Sequence, residues 1–299
     1  MESFLQREVS LAPLTTWKIG GPAEWYCAPE TEAVLLCALD WARENCHPVQ
    51  VLGRGSNVLV PDEGIRGLVI CLRKLEKDWF EFKDDGEGRG LLTVSAGMSL
   101  PRLAKVAAQL GFGGYEFYIG IPGTVGGAVV MNAGFGPGDE RQTANRCREI
   151  RTVSLDGQSS WQAYSEVQPV YRHTRLVDGN VIATGAKFAL TERSTKEKIR
   201  AVTAGHLAMR RSRQPLTRPT CGSVFKGTDE GVPAAVFIDR CGLKGLKVGG
   251  AVVSFKHANW IENLGGATAS DVRRLISHIQ AVVFNKEGVQ LKTEVCFLG

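Results

Sequence analysis

Between Ile119 and Gly134 the chain reads IGIPGTVGGAVVMNAG, with five glycines (Gly120, Gly123, Gly126, Gly127 and Gly134), Pro122 and no charged side chain. Glycine has no Cβ, so it reaches positive φ cheaply and lets another group come up to the main chain, at a cost of roughly 0.5–1 kcal/mol in regular structure. Such a run is either a set of turns between apolar segments or a cradle whose converging N–H groups take a phosphate or diphosphate. The two readings are evenly matched on the glycines alone. The chain spells neither G-x-G-x-x-G after a strand nor G-x-x-x-x-G-K-[ST], so an ordinary Rossmann or P-loop site is disfavoured.

The 299 residues allow two or three lobes with real cores. With 43% hydrophobic and 22% charged residues the chain reads as soluble and globular. Its first residues carry Glu2, Arg7 and Glu8 where a signal peptide needs an apolar core, and no stretch approaches a membrane span, so a cytoplasmic location is expected. Eight scattered cysteines form no C-x-x-C pair and five histidines stand at no ligand spacing, which speaks for reduced, packed thiols and against a metal. The net charge of +5 suits a multiply anionic small ligand or nucleic acid. The densest basic stretch, MRRSRQPLTR (Met209 to Arg218), has no interleaved aromatic residue, which weakens the nucleic-acid reading and leaves a solvated helix end as the plain one.

Apolar spacing predicts a helix over Thr31 to Cys46 capped by Thr31, and another from an N-cap at Ser99 to Leu110, stopped by Gly111. VQVLGRGSNVLV reads as strand, glycine turn, strand, and Asp156-Gly157 marks a turn between extended pieces. Too few helices separate the strands for a regular α/β winding, so the class is α+β. The pattern changes near 190–205: a helix runs through KEKIRAVTAGHLAMRRSR and ends before Pro215. A further amphipathic helix follows Ser270 as N-cap, with Val272, Leu275, Ile276, Ile279, Val282 and Val283 on one face and Gly288 as its stop. The closing VQLKTEVCF alternates as a strand, placing Glu294 on the face opposite Val295.

Three residues stand out chemically. Ser223 follows Gly222 in a small-residue turn without a G-x-S-x-G elbow, so a serine hydrolase is disfavoured and a structural turn serine is the default. Arg172 in VYRHT can clamp a carboxylate or merely pair with a surface acid, and Glu294 is either functional or simply solvated. Periodicity alone does not bring the three together.

Seven stretches in order resemble one family, the UDP-N-acetylenolpyruvoylglucosamine reductases: TTWKIGGPA, VLGRGSNVLV, GIPGTVGGAVVMNAG, YRHT, RQPLTRPTCGSVFK, GLKGLKVGGAVVSFKHANWI and GVQLKTEV. The resemblance spans nearly the whole chain. It implies a vanillyl-alcohol-oxidase-type FAD-binding fold of two α+β lobes (1–72 and 73–195) with a third, smaller α+β substrate domain (196–299), the last strand returning to the first lobe. It also implies FAD as cofactor, NADPH as reductant, the enolpyruvyl ether of UDP-N-acetylglucosamine as substrate, and a monomer of the compact subtype lacking a tyrosine-bearing loop. The implied FAD contacts are Leu52, Gly53, Arg54, Gly55, Ser56 and Asn57 on one turn, and Ile119, Gly120, Ile121, Pro122, Gly123, Thr124, Gly126, Gly127, Asn132, Ala133 and Gly134 on the other, with Ile182. The implied substrate contacts are Tyr171, Arg172, Arg213, Gly222, Ser223 and Lys226. In the implied chemistry, hydride passes from flavin N5 to C3, Ser223 delivers a proton to C2, and Arg172 and Glu294 stabilise the intermediate, Glu294 best as a protonated donor. Gly227 stands where relatives carry an asparagine near the nucleotide, which puts the full diphosphate contact set in doubt, and Phe255 where an acid is common. A different flavin oxidase or dehydrogenase on the same scaffold is the alternative.

Overall fold

The computed structural model describes residues 3–135 and 141–299. By proximity the chain forms two units: the first takes the chain up to Gln6, Trp25–Arg54 and Gly67–Met209, and the second Arg7–Glu24, Gly55–Arg66 and Arg210–Gly299. The division falls inside β1 (Gln6–Ser10), β2 (Pro22–Cys27) and β5 (Ile65–Cys71).

In the first unit, α1 (Glu32–Glu44) begins where the Val34 amide donates to the Thr31 hydroxyl. Its buried Leu35, Ala38, Leu39 and Ala42 pack with Leu68 and Ile70 of β5, which pairs in parallel with β3 (Val49–Leu52). The larger sheet of this unit is antiparallel, in the order β6 (Phe80–Asp84), β7 (Gly90–Ser95), β10 (Val181–Leu190), β8 (Cys147–Ser154), β9 (Ser159–Ala163). The β8–β9 turn is the Asp156-Gly157 step, with Gly157 at φ 86°. Onto this sheet pack α2 (Leu100–Gln109), capped by Ser99, and α3 (Val125–Met131), capped by Thr124. Leu103, Val106, Val125 and Val129 are fully buried with Val94, Ile150 and Phe188 of the strands. Each such side chain contributes about 1.5–3 kcal/mol by leaving water.

In the second unit, β4 (Val58–Leu59) pairs in parallel with β14 (Cys296–Phe297). A three-stranded antiparallel sheet of β11 (Lys247–Val248), β12 (Ala251–Val253) and β13 (Ile261–Asn263) shares a core with α5 (Ala234–Arg240) and α6 (Ala269–Glu287). The apolar face expected of α6 is buried through Val272, Leu275, Ile276, Ile279 and Val283. Trp17, fully buried, ties the unit's early segment to its sheet by donating to the Ile261 carbonyl at 2.8 Å. α4 (Lys196–Arg213) ends before Pro215 as expected, the unit division falling within it, and Ile199 is its one buried side chain.

Two local expectations are corrected. The N-cap of α6 is Thr268, in a reciprocal capping box with Asp271, because Ser270 is engaged elsewhere: its amide and hydroxyl both donate to the Asp62 carboxylate. The closing segment is not one continuous strand; it touches neighbours at Phe225↔Thr293 and then at β14. Alternation survives in burial at Leu291 and Val295 but not at Phe297, on the same side of the alternation, which is exposed.

Burial works against the charge on Asp62 and Asp271, yet amide donors (Ser270 and Ala269 for Asp62; Thr268 and Gly250 for Asp271) outweigh it and hold both below the usual carboxylate range. A lowered folded value means stabilisation that is complete above the unfolded value near pH 4 and is lost as pH falls through the lower folded value. Thr268→Ala is expected to cost about 1 kcal/mol at pH 7 by denaturant titration. Asp62→Asn is expected to flatten the fall in stability below about pH 4. An unchanged acid limb in that variant refutes the assignment.

Candidate active site

The two glycine turns meet in the first unit. A Cβ on Gly53 would lie 2.9 Å from the Thr124 hydroxyl, so the main chain at Gly53 runs directly against the second turn. Among the described residues, the amides of Gly53, Arg54, Gly123 and Thr124 meet no hydrogen-bond acceptor. Buried backbone N–H groups are otherwise almost always paired, so a concave set of open donors is suited to an anion. Gly126 behaves differently: its amide donates to the Ala96 carbonyl at 2.9 Å, and a Cβ there would stand 3.0 Å from the Ala96 methyl. Gly127 is exposed, and a Cβ there would meet only the Thr124 hydroxyl, at 3.8 Å. Of the other residues implicated on these turns, Leu52 and Gly120 are buried, Ile119, Ile121 and Ala133 pack half-buried on the core, and Pro122 is exposed. The Ile182 side chain is 1% exposed and lies in the core with Leu35, Leu39 and Ile70.

The end of α3 builds the setting of Arg172. Asn132, left-handed at φ 43°, donates to the Gln142 side chain and the Val170 carbonyl and accepts from the Ala144 amide. Tyr164 and Thr174 hydroxyls satisfy the Val129 and Val130 carbonyls at the helix end. Val170 and His173 bond each other across a tight turn that carries Tyr171 and, at φ 54°, Arg172. The guanidinium lies 4.8 Å from the Tyr171 ring centre and donates to the Gly134 carbonyl at 3.0 Å. A non-glycine residue in the left-handed region costs of order 1 kcal/mol and persists only when its surroundings fix it. Asn132 supplies that support.

The second unit brings Ser223 and Glu294 onto adjacent paired segments. Ser223 bridges Trp260, and the Glu294 amide donates to the Val224 carbonyl at 2.8 Å. Gly222 precedes the serine at φ 91° with open space where a Cβ would be. Among the described residues the Ser223 hydroxyl has no hydrogen-bond partner, which leaves it able to turn toward a ligand. Asn57 fixes Glu294 from the other side: its side-chain amide donates to the Glu294 carbonyl at 3.0 Å and its own carbonyl accepts from Cys296. Burial first, then the neighbouring Glu294 charge, pushes the Cys221 thiol well above its ordinary value. Gly55, at φ 63°, accepts from the Thr16 amide; Ser56 is half-buried; the Lys226 amide is bonded to Lys292; Arg213 is exposed at the end of α4.

Asn259 was not singled out by sequence reasoning, although it lies in the quoted HAN. Nearly buried, it accepts from the Phe225 amide, returns a bond to the Phe225 carbonyl, and its own carbonyl takes the Val224 amide. It therefore holds the strand that carries Ser223. Asn259→Ala strips both side-chain bonds from buried backbone, and we expect a loss of about 2–4 kcal/mol in unfolding free energy. A change under about 0.5 kcal/mol, typical of surface substitutions, refutes this role.

Comparison with known proteins gives two family matches along the chain. Residues 23–161 match the FAD binding domain family, and residues 214–298 match the C-terminal domain of UDP-N-acetylenolpyruvoylglucosamine reductase. The chain is 40% identical over 296 residues to the UDP-N-acetylenolpyruvoylglucosamine reductase of Parasynechococcus marenigrum (99% of this chain, 96% of the relative), and 40% identical to that of Synechocystis sp. (99% and 92%). The crystal structure of the Thermus caldophilus UDP-N-acetylenolpyruvylglucosamine reductase superposes with a TM-score of 0.81 at 35% identity, covering 99% of this chain and all of that one. Among the described residues no helix is long and apolar enough to cross a membrane. The α+β class, the FAD-binding domain and the order of motifs agree with these matches, and the chain belongs to the UDP-N-acetylenolpyruvoylglucosamine reductase family.

Proposed function

We propose that this protein is the FAD-dependent reductase that uses NADPH to convert the enolpyruvyl ether of UDP-N-acetylglucosamine to UDP-N-acetylmuramate for peptidoglycan. The observation that carries the reading is the strand pairing that sets Glu294 beside the Ser223 segment within a region matching the reductase C-terminal domain. The residues fit the flavin: Gly53, Arg54, Gly123 and Thr124 offer open amides for its diphosphate, and exposed Gly127 leaves room for close approach. The bound flavin supplies hydride transfer to the substrate.

The protein's own contribution is to hold charge and protons. Addition of hydride at C3 places negative charge on C2 and the attached carboxylate, and fixed donors stabilise that charge most when they need no rearrangement. Arg172, strained and braced, is the fixed cation in this reading, and Glu294 is the acid that hydrogen-bonds the carboxylate once it carries a proton. Ser223 protonates C2. A hydroxyl is a weak acid, but a carbanion is a strong enough base to take its proton. Gly222, Tyr171, Lys226 and Arg213 belong to the substrate contacts of the same proposal, as do Leu52, Gly55, Ser56, Asn57, Asn132, Gly134 and Ile182 to the flavin contacts. So do a three-lobe division at 72 and 195, a cytoplasmic location, a monomeric state and the absence of a nucleic-acid partner.

The test is the anaerobic visible spectrum of the purified protein. A flavin band that bleaches with NADPH and returns with the enolpyruvyl nucleotide sugar is expected. Bleaching without return removes the proposed acceptor, and a colourless protein that takes up no added FAD removes the cofactor. Limited proteolysis that never cuts near 72 or 195 argues against the three lobes, and sedimentation and DNA-binding titrations test the monomer and the missing nucleic-acid partner.

A further inference from the structure

Cys71 is the last residue of β5 and fully buried, and the parallel register sets it against Leu52, the last residue of β3. Its thiol therefore stands where the chain leaves β3 for the first glycine turn. There it donates to the Gly53 carbonyl at 3.7 Å. Among the described residues this is the one hydrogen bond that the Gly53 carbonyl accepts.

A peptide group is planar and trans, so its C=O and N–H point in opposite directions. The N–H that shares a plane with the Gly53 carbonyl is that of Arg54, an amide that meets no acceptor among the described residues. Holding the carbonyl toward β5 aims the Arg54 amide away from it. A thiol is a weak donor, but Gly53 has no Cβ to restrict rotation of that peptide, so a weak bond is enough to set it.

The thiol is itself held. β2 is the other neighbour of β5 in the sheet, and the buried Tyr26 of β2 is hydrogen-bonded to Cys71. Burial first, then Cys71, pushes the Tyr26 phenol up from its ordinary value, so the phenol keeps its proton and the thiol proton is left for Gly53. Tyr26, Cys71 and Gly53 form a chain across three neighbouring segments of the first unit.

We propose that Cys71, backed by Tyr26, is a positioning residue for the cofactor, its thiol fixing the Gly53 peptide so that the Arg54 amide faces the flavin diphosphate. This rests on the flavin contacts proposed above. The plain alternative is a thiol packed for volume, since a buried cysteine behaves as a small hydrophobe. The two roles demand opposite replacements: a packed thiol is best replaced by valine, a donor by serine.

The experiment compares Cys71→Val with Cys71→Ser, by FAD titration into flavin-stripped protein and by thermal unfolding of the same stripped protein. Valine is expected to hold the Tm and to weaken FAD binding about three- to tenfold, the worth of one modest hydrogen bond. Serine is expected to lower the Tm, because its hydroxyl enters a buried site, yet to keep FAD affinity within about twofold of wild type. In the flavin-loaded protein the amide proton resonance of Arg54 is expected to move in the valine variant and to stay in the serine one. Tyr26→Phe, which removes only the backing hydroxyl, is expected to weaken FAD in the same direction as valine and carries the test if the valine variant does not fold. FAD affinity that follows the Tm, unchanged with valine and falling with serine, overturns the inference, as does an Arg54 resonance that valine leaves in place. A wild-type protein that takes up no FAD removes the flavin reading and the inference together, whereas a flavin-binding wild type beside an unaffected valine variant removes the inference alone.

Discussion

Replacing Ser223 by alanine is expected to leave flavin reduction by NADPH unchanged while slowing reoxidation by the enolpyruvyl nucleotide sugar by about 10²–10⁴-fold, the range of a positioned general acid. The fold gives little reason for any other outcome. The hydroxyl makes no hydrogen bond among the described residues, the residue is half-buried, and its backbone is held by Trp260 and, through Val224 and Phe225, by Asn259. Its removal leaves no buried group unpaired, so stability should stay within about 0.5 kcal/mol. Stopped-flow absorbance of the two half-reactions is the measurement. Arg172→Ala is expected to show the same split with a smaller stability margin, because its guanidinium also holds the Gly134 carbonyl. Equal slowing of both half-reactions by Ser223→Ala, or of neither, removes Ser223 as the proton donor.

Much of the local structure was legible because it is written in local chemistry. Thr31 and Ser99 cap α1 and α2, Gly288 ends α6 in the left-handed region at φ 69°, and the buried face of α6 follows its apolar spacing. α3 was not foreseen, since VGGAVVM holds two glycines in seven residues and propensity argues against it. The local Thr124 cap at its start is joined by support from elsewhere in the chain, where Tyr164 and Thr174 satisfy its last carbonyls. The larger sheet was beyond sequence reasoning for a similar reason, because β7 pairs with β10 some ninety residues later and no local pattern specifies that partner.

The site divides the same way. Ser223, Arg172 and Glu294 stood out on their chemistry, but their roles came from resemblance and not from periodicity, and what joins the Ser223 segment to Glu294 is a backbone bond between residues seventy apart in sequence. Asn57 and Asn132 were assigned to flavin contact from their position in motifs. In the structure their side chains also brace Glu294 and the Arg172 turn. An asparagine that supports a neighbour and one that touches a ligand are identical in sequence, and only the donor and acceptor partners separate them.

Gly126→Val and Gly127→Val, one residue apart, are expected to fail in different ways. At Gly126 a Cβ would stand 3.0 Å from the Ala96 methyl, 3.4 Å from the Ala96 carbonyl oxygen and 3.6 Å from that of Ala183, and valine adds two methyls to that wall. The surroundings are rigid, because the Ala96 amide is bonded to Thr184 of β10 and its carbonyl to Gly126 itself. Overpacking of a close-packed core costs about 1–3 kcal/mol or more, and the bond from Gly126 to Ala96 is strained with it. We expect Gly126→Val to lose about 3 kcal/mol and 5–10 °C in Tm, with flavin lost as a consequence. At Gly127 the added methyls point into exposed space, so the fold should hold while flavin affinity falls, because valine occupies the approach the proposed diphosphate site needs. Thermal unfolding read beside flavin fluorescence separates the cases. A Gly127→Val protein with a full flavin complement removes that glycine from the cradle, and a Gly126→Val protein of wild-type Tm shows that α3 has slack against Ala96 that a Cβ 3.0 Å from its methyl denies.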